Sequence, residues 1–127
     1  MIPLSSRPGT LTGKVVCPDD AEYSASFAGF NLLYTNRPAA IVFAKETTDV
    51  VNALTWAREH DVPVRARSGR HCLEGWSTVD DGLVIDVSHL KSAVIDAGRR
   101  TATVGAGLTQ SEAVAALGRA GFAAPTG

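Results

Sequence analysis

AAIVFAKETTDVVNALTWAREHDVPVRAR, residues 39–67, decides the fold. Its first six residues, Ala39–Ala44, are a short apolar run after Pro38 and predict a buried strand. The middle predicts a helix. Thr47 or Thr48 can cap it, Asp49 suits its positive N-terminal end, and Val50, Leu54 and Ala57 recur on one face. Val62–Arg67 predicts a second strand. A helical crossover between two strands implies that they run parallel with a right-handed connection.

Working outward from this unit toward the C-terminus, Ser68–Ser77 (SGRHCLEGWS) is a loop with two glycines, and Leu83–Val87 is another buried strand. Ala93–Asp96 and Thr101–Val104 flank AGRR and predict a hairpin. Thr109 and Glu112 have capping-box spacing for a helix that Gly121 can end, and AAPTG, residues 123–127, is turn-like. Toward the N-terminus, Asp19 or Asp20 can cap a short helix carrying Tyr23, Phe27 and Phe30, whose rings are expected to pack on the domain. Residues 1–13, rich in Pro, Ser, Gly and Thr, read as an arm. A strand–helix–strand unit followed by consecutive strands and a helix is an α+β pattern. The division is residues 1–36, an arm and short helix, and residues 37–127, the main body.

The 127 residues suffice for one modest domain. Hydrophobic residues make up 45% and charged ones 20%, and the net charge of -1 supplies no bulk field to attract nucleic acid or anionic lipid. No window approaches the roughly 18 apolar residues of a membrane span. The first residues, MIPLSSRPGTLTGK, lack the charged-then-apolar order of a secretory signal, so the expected compartment is the cytoplasm unless a leader precedes Met1. Cys17 and Cys72 are too few for a disulfide framework, and no ligand spacing joins them to the histidines as a metal site.

The chemistry concentrates in Arg67-Ser68-Gly69-Arg70-His71, continuing to Gly75, directly after a strand. Glycine lets backbone approach a ligand and adopt positive φ. Successive N–H groups in such a turn form an anion-binding nest. Ser68 adds a hydroxyl, Arg70 a permanent charge and His71 a nucleophilic nitrogen. The residues alone say no more than a candidate phosphate loop with a histidine. The loop is neither GxGxxG nor a P-loop, and a histidine there can equally cap a turn.

The stretch from Arg37 to Gly127 resembles the start of the PCMH-type FAD-binding domain of the FAD-linked oxidase family, which includes vanillyl-alcohol oxidase and the berberine-bridge-enzyme-like oxidases. The residues that carry this are RPAAIVFAKETTDVVNALTWAREHDVPVRARSGRHCLEGWSTVDDGLVIDVSHL (37–90) and TATVGAGLTQSEAVAALGRAGFAAPTG (101–127). The resemblance implies an incomplete α+β domain whose FAD contacts come from Arg67, Ser68, Gly69, Arg70, His71, Cys72, Gly75 and Ser77. Backbone groups of Ser68 to His71 would take the pyrophosphate, and a ring nitrogen of His71 would bond to the flavin 8α-methyl carbon. Such a link anchors the cofactor and raises its reduction potential, while the protein positions and tunes it.

One departure stands out, because Arg70 replaces the family's second loop glycine, which requires that the backbone there accept a side chain. Family members continue into a second flavin-contacting segment and a substrate domain that carries the catalytic base, so no catalytic residue is assigned here. The whole enzyme is expected to move a hydride from a C–H bond of an alcohol, sugar or similar small molecule to FAD. The alternative is a non-catalytic flavin-binding fragment or an α+β interaction module. Self-association through an unpaired strand edge is expected of the chain alone.

Plainer roles compete elsewhere. Arg65 and Arg67, at alternate strand positions, are expected to point to solvent. Cys72 reads as a small, partly buried residue, and Trp76 as either a stacking ring or a lid over the loop. Asp80-Asp81-Gly82 reads as a turn, and Asp86 as a backbone-bonding side chain. His60 reads as a helix-end stabiliser. Gly105 and Gly107 serve either a close approach to the cofactor or a strand-to-helix turn.

Overall fold

The computed structural model describes residues 9–125, so the first eight residues of the expected arm and the last two of the chain-end turn lie outside it. The elements run β1 (Lys14–Val16), α1 (Tyr23–Phe27), β2 (Ala40–Phe43), α2 (Thr47–Glu59), β3 (Val64–Arg67), β4 (Leu83–Asp86), β5 (Ala93–Asp96), β6 (Thr101–Val104) and α3 (Gln110–Arg119). The first four strands form one sheet in the order β1-β2-β4-β3, and β5 pairs with β6.

The two central strands explain the sheet. Every residue of β2 (AIVF) and β4 (LVID) is buried, as expected of parallel strands covered on both faces. They pair in parallel, Ala40 opposite Leu83 through Phe43 opposite Asp86. β3 pairs in parallel with the far side of β4, Val64 opposite Leu83 and Arg67 opposite Asp86. β2 and β3 are thus parallel, as the crossover predicts, with β4 inserted between them. β1 pairs antiparallel with β2, Lys14 opposite Phe43, which ties the stretch read as arm and short helix into the sheet.

Alternation along the strands divides the core. Ala40, Val42, Leu83 and Ile85 face α2 and join Ala53, Trp56 and Ala57. Ile41, Phe43 and Val84 face the other way and join Val16 and Tyr23. The helix face differs from the expected one at Leu54. Asp49, Ala53, Trp56 and Ala57 are buried, while Leu54 is 49% exposed. Two alanines bring α2 close to the sheet and Trp56 fills the space beside them, so Ala57 is buried and Val50 packs partly buried against the core as expected, while Leu54 is displaced from it. The cap also differs. It is Glu46, in a reciprocal box with Asp49, rather than Thr47 or Thr48. Asp49 accepts from the Thr12 hydroxyl at 2.6 Å and the Lys45 amide at 2.9 Å, and the Thr12 bond leads in holding its carboxyl below the usual carboxylate range.

The hairpin and α3 form where expected. Ala93 pairs with Val104 and Asp96 with Thr101, and Thr109 and Glu112 make the capping box. His60 follows α2 with its Nδ1 2.8 Å from the Trp56 carbonyl oxygen, as the helix-end reading requires. Asp80 accepts from the Arg37 amide and the Asn36 side chain, both at 2.7 Å, which makes Asp80-Asp81-Gly82 a bonded turn. No described helix is long and apolar enough to cross a membrane.

Candidate functional site

The end of β3 and the end of β4 are held together by a buried ion pair. Arg67 Nε donates to Asp86 Oδ2 at 2.7 Å, and its Nη2 donates to the Ser26 carbonyl at 2.6 Å. The two side chains are 3% and 1% exposed, and the guanidinium also lies 5.7 Å from the Phe43 ring centroid. Arg65 is exposed but Arg67 is not, so the expectation that both point to solvent holds only for Arg65. Register explains the difference: Arg67 is opposite Asp86, and a buried carboxylate requires a partner. Burial alone would raise the Asp86 pKa. Hydrogen bonds from the Ser88 side chain and Arg67 outweigh it and hold the carboxyl below its ordinary value. Asp86 Oδ1 also accepts from the Ser88 amide at 3.0 Å, the backbone bond expected of it.

The loop begins at this pair. Gly69 and Arg70 are consecutive left-handed residues, with φ of 69° and 63°. Glycine adopts that region freely, whereas arginine there carries a modest strain. The departure at Arg70 therefore keeps the backbone shape of a glycine. Its side chain has an internal partner, since Nη1 donates to the Ala25 carbonyl at 2.7 Å. The neighbouring amides and hydroxyls fasten the loop to the second half of the chain. Gly69 N–H donates to Ser88 Oγ at 3.0 Å, and Ser68 Oγ donates to the Ala106 carbonyl at 2.8 Å.

Beside these contacts runs a groove of about 670 Å³ lined by Ser68, Gly69, His71, Ser88, Lys91, Gly107, Leu108, Thr109, Gln110 and Ser111. His71 is exposed on it. The N-terminal end of α3 is part of the wall, and the partial positive charge of a helix N-terminus favours an anion. Lys91 supplies the cation, with its Nζ 2.6 Å from Glu112 Oε1. Gly107 has a packing reason. A Cβ there would lie 2.4 Å from the Val87 carbonyl oxygen and 2.6 Å from that of Ser88. The tight strand-to-helix turn and the approach to the groove are thus one feature.

The expected cofactor residues divide between two depressions. Ser68, Gly69 and His71 line the large groove. Arg67, Arg70, Cys72, Gly75 and Ser77 line a cavity of only about 20 Å³ on the other side of the loop, with Phe27, Asn31 and Tyr34. That cavity is too small for a nucleotide, because it holds about one water-sized sphere. Gly75, at φ 74°, packs flat on Tyr34, whose ring atoms would sit 2.4 Å from an added Cβ. Burial alone would raise the Cys72 thiol, but the amides of Glu74, Trp76 and Ser77 hold it below the ordinary thiol value. Cys72 is half-buried, as expected, and does not pair with Cys17. Trp76 is 74% exposed.

Sequence reasoning missed Ser88, Lys91 and Thr109–Ser111 as groove residues and Phe30 as a neighbour of His71. Phe30 does not pack into the domain. It is 67% exposed, stacked on His71 with centroids 6.2 Å apart and planes 30° apart. Among the described residues no cluster of histidine, cysteine, aspartate and glutamate could hold a metal ion.

Comparison with known proteins fits this geometry. Residues 38–127 match a family model described as an FAD binding domain. An uncharacterized FAD-linked oxidoreductase of Bacillus subtilis, YgaK, is 38% identical over 92% of this chain and 26% of its own. The structure of 6-hydroxy-D-nicotine oxidase from Arthrobacter nicotinovorans superposes with a TM-score of 0.82 at 26% identity, over 90% of this chain and 25% of its own. The berberine-bridge-enzyme-like protein 1 of Physcomitrella patens gives 0.80 at 30% identity, over 87% and 24%. The chain therefore spans about a quarter of the length of these relatives.

Proposed function

We infer a function from one premise: the chain belongs to the FAD binding domain family. In this reading the turn from Ser68 to His71 would hold the diphosphate of FAD, and a ring nitrogen of His71 would replace one hydrogen of the flavin 8α-methyl group. The methyl and imidazole hydrogens would leave as protons, and the C–H electron pair would pass to the flavin ring, from which dioxygen would remove it. The observation that carries it is the pair of left-handed residues, Gly69 and Arg70, ending a parallel strand beside a groove on which His71 is exposed. Backbone N–H groups in such a turn can bind an oxyanion, the Gly69 N–H by exchanging its bond to Ser88 Oγ.

The chain's own groups divide the work. The start of α3 and Lys91, which shares its charge with Glu112, line the groove, while the hydroxyls of Ser68 and Ser88 fasten the loop through the Ala106 carbonyl and the Gly69 amide. Arg67 and Arg70 act from behind, holding the loop to α1 and Asp86 rather than meeting phosphate. His71 holds a nitrogen at the groove edge, where a covalent bond would prevent dissociation. FAD, when bound, supplies hydride acceptance, which no side chain offers. The polypeptide that carries this domain is proposed to oxidise a C–H bond of an alcohol, sugar or similar small molecule; what supports an oxidase is that a relative over 96% of this chain is an (R)-6-hydroxynicotine oxidase.

The test is to incubate the polypeptide with FAD, denature it, and measure flavin absorbance on the precipitated protein. Wild type is expected to remain yellow and His71→Ala to come down colourless while still binding FAD reversibly before denaturation. Flavin lost from the wild type on denaturation would overturn the covalent bond. A wild type that binds no FAD before denaturation would overturn the site.

A further inference from the structure

We propose that Phe30 is a positioning residue for His71, and that the segment from α1 to Tyr34 is part of the flavin site although the matched family stretch begins only at residue 38. The inference rests on the reading of His71 given above. This segment grips the loop repeatedly. Arg70 Nη1 donates to the Ala25 carbonyl at 2.7 Å, and Arg67 Nη2 to that of Ser26 at 2.6 Å. In return the Phe30 amide donates to the Arg70 carbonyl at 2.9 Å, and Asn31 Nδ2 to that of Leu73 at 2.7 Å.

The amide bond from Phe30 to Arg70 fixes where the phenyl ring lies. It stands over the imidazole of the next residue, 6.2 Å between centroids and 30° between planes. Offset aromatic pairs at such spacing attract beyond their burial. The ring is 67% exposed, so the fold gains little from burying it. Among the described residues its ring partner is His71. Gly69 leaves the imidazole the space it occupies, since a Cβ there would stand 2.9 Å from His71 Cδ2. The imidazole therefore sits between a glycine that leaves it room and a phenyl face that limits its rotation. A nucleophile held in one rotamer reacts faster than a freely turning one.

The experiment compares wild type with Phe30→Ala, Phe30→Leu and Phe30→Tyr. Each is incubated with FAD, denatured at set times, and assayed for flavin retained on the polypeptide. Phe30→Ala and Phe30→Leu are expected to attach flavin roughly fivefold more slowly, the effect of one aromatic pair, and Phe30→Tyr at the wild-type rate. The His71 imidazole proton resonance, read by NMR without FAD, is expected to shift in the alanine and leucine variants and return in the tyrosine variant. The His71 three-bond couplings across Cα–Cβ, which no ring current alters, are expected to report one rotamer in wild type and the tyrosine variant and an average of rotamers in the alanine and leucine variants. Thermal midpoints are expected to agree within about 2 °C, because the substituted ring is mostly exposed. Wild-type attachment rates in the leucine variant, or wild-type His71 couplings in the alanine variant, would overturn the inference alone. A wild type that retains no flavin would overturn the reading of His71 and this inference with it.

Discussion

Residues 11–86 and residues 93–119 obey the same local rules and differ in what their side chains meet. In the first stretch β2 and β4 are fully buried, and every member of both core clusters lies there. In the second, β6 is exposed at all four positions, β5 at three of four, and α3 buries no residue. Val94 and Val114 are 66% and 53% exposed. The hairpin turn and the capping box suffice to shape the second stretch, whereas the first is fixed by packing. Both contribute to the groove, with Ser68, Gly69 and His71 from one and Thr109–Ser111 from the other. The candidate site thus lies between a well-packed wall and a weakly packed one.

The largest effect should come from the packed wall. Asp86→Ala leaves the Arg67 guanidinium buried without its carboxylate, at a cost of about 3–5 kcal/mol. That is a large share of the ~5–15 kcal/mol that holds a domain folded. Val94→Ala in the hairpin should change stability by no more than about 0.5 kcal/mol. Urea unfolding of both variants checks the contrast, and equal losses would erase it.

A smaller effect tests the second wall alone. Thr109→Ala removes the side-chain cap that accepts from the Glu112 amide at 3.3 Å, costing about 1 kcal/mol of helix stability. Hydrogen exchange should accelerate across α3 while β2 and β4 stay protected. Acceleration in the sheet as well would show that the two walls unfold as one unit.

The smallest effect is on pH. The Lys91 hydrogen bond first, then those from Thr109, lower the Glu112 carboxyl from 4.5 to about 2. A folded value below the unfolded one means that the contribution is present above pH 4.5 and lost as pH falls through about 2. Exchange protection of α3 should fall within that window. Lys91→Met should move the fall toward higher pH, and an unchanged profile would remove Lys91 as the cause.

Much of this was legible in the sequence because it is local. The apolar runs at 40–43 and 83–86, the AGRR turn, the Thr109–Glu112 box and the loop after the second strand each depend on a few neighbouring residues. What depends on distant partners was not. β1 is three residues long and exists only by pairing with β2. The insertion of β4 between β2 and β3 is a choice of long-range contacts. Arg67 differs from Arg65 only because register sets it opposite Asp86. The division of the loop between a 670 Å³ groove and a 20 Å³ cavity depends on which side of the turn each residue faces. That follows from the left-handed pair Gly69-Arg70, which no spacing rule announces.

Peptide mapping by mass spectrometry of the FAD-treated, denatured polypeptide tests the central claim most directly. The account predicts one peptide, containing His71, that carries the added mass of FAD, and no such peptide in His71→Ala. The flavin mass on a peptide lacking His71, or the unmodified mass throughout, would contradict it.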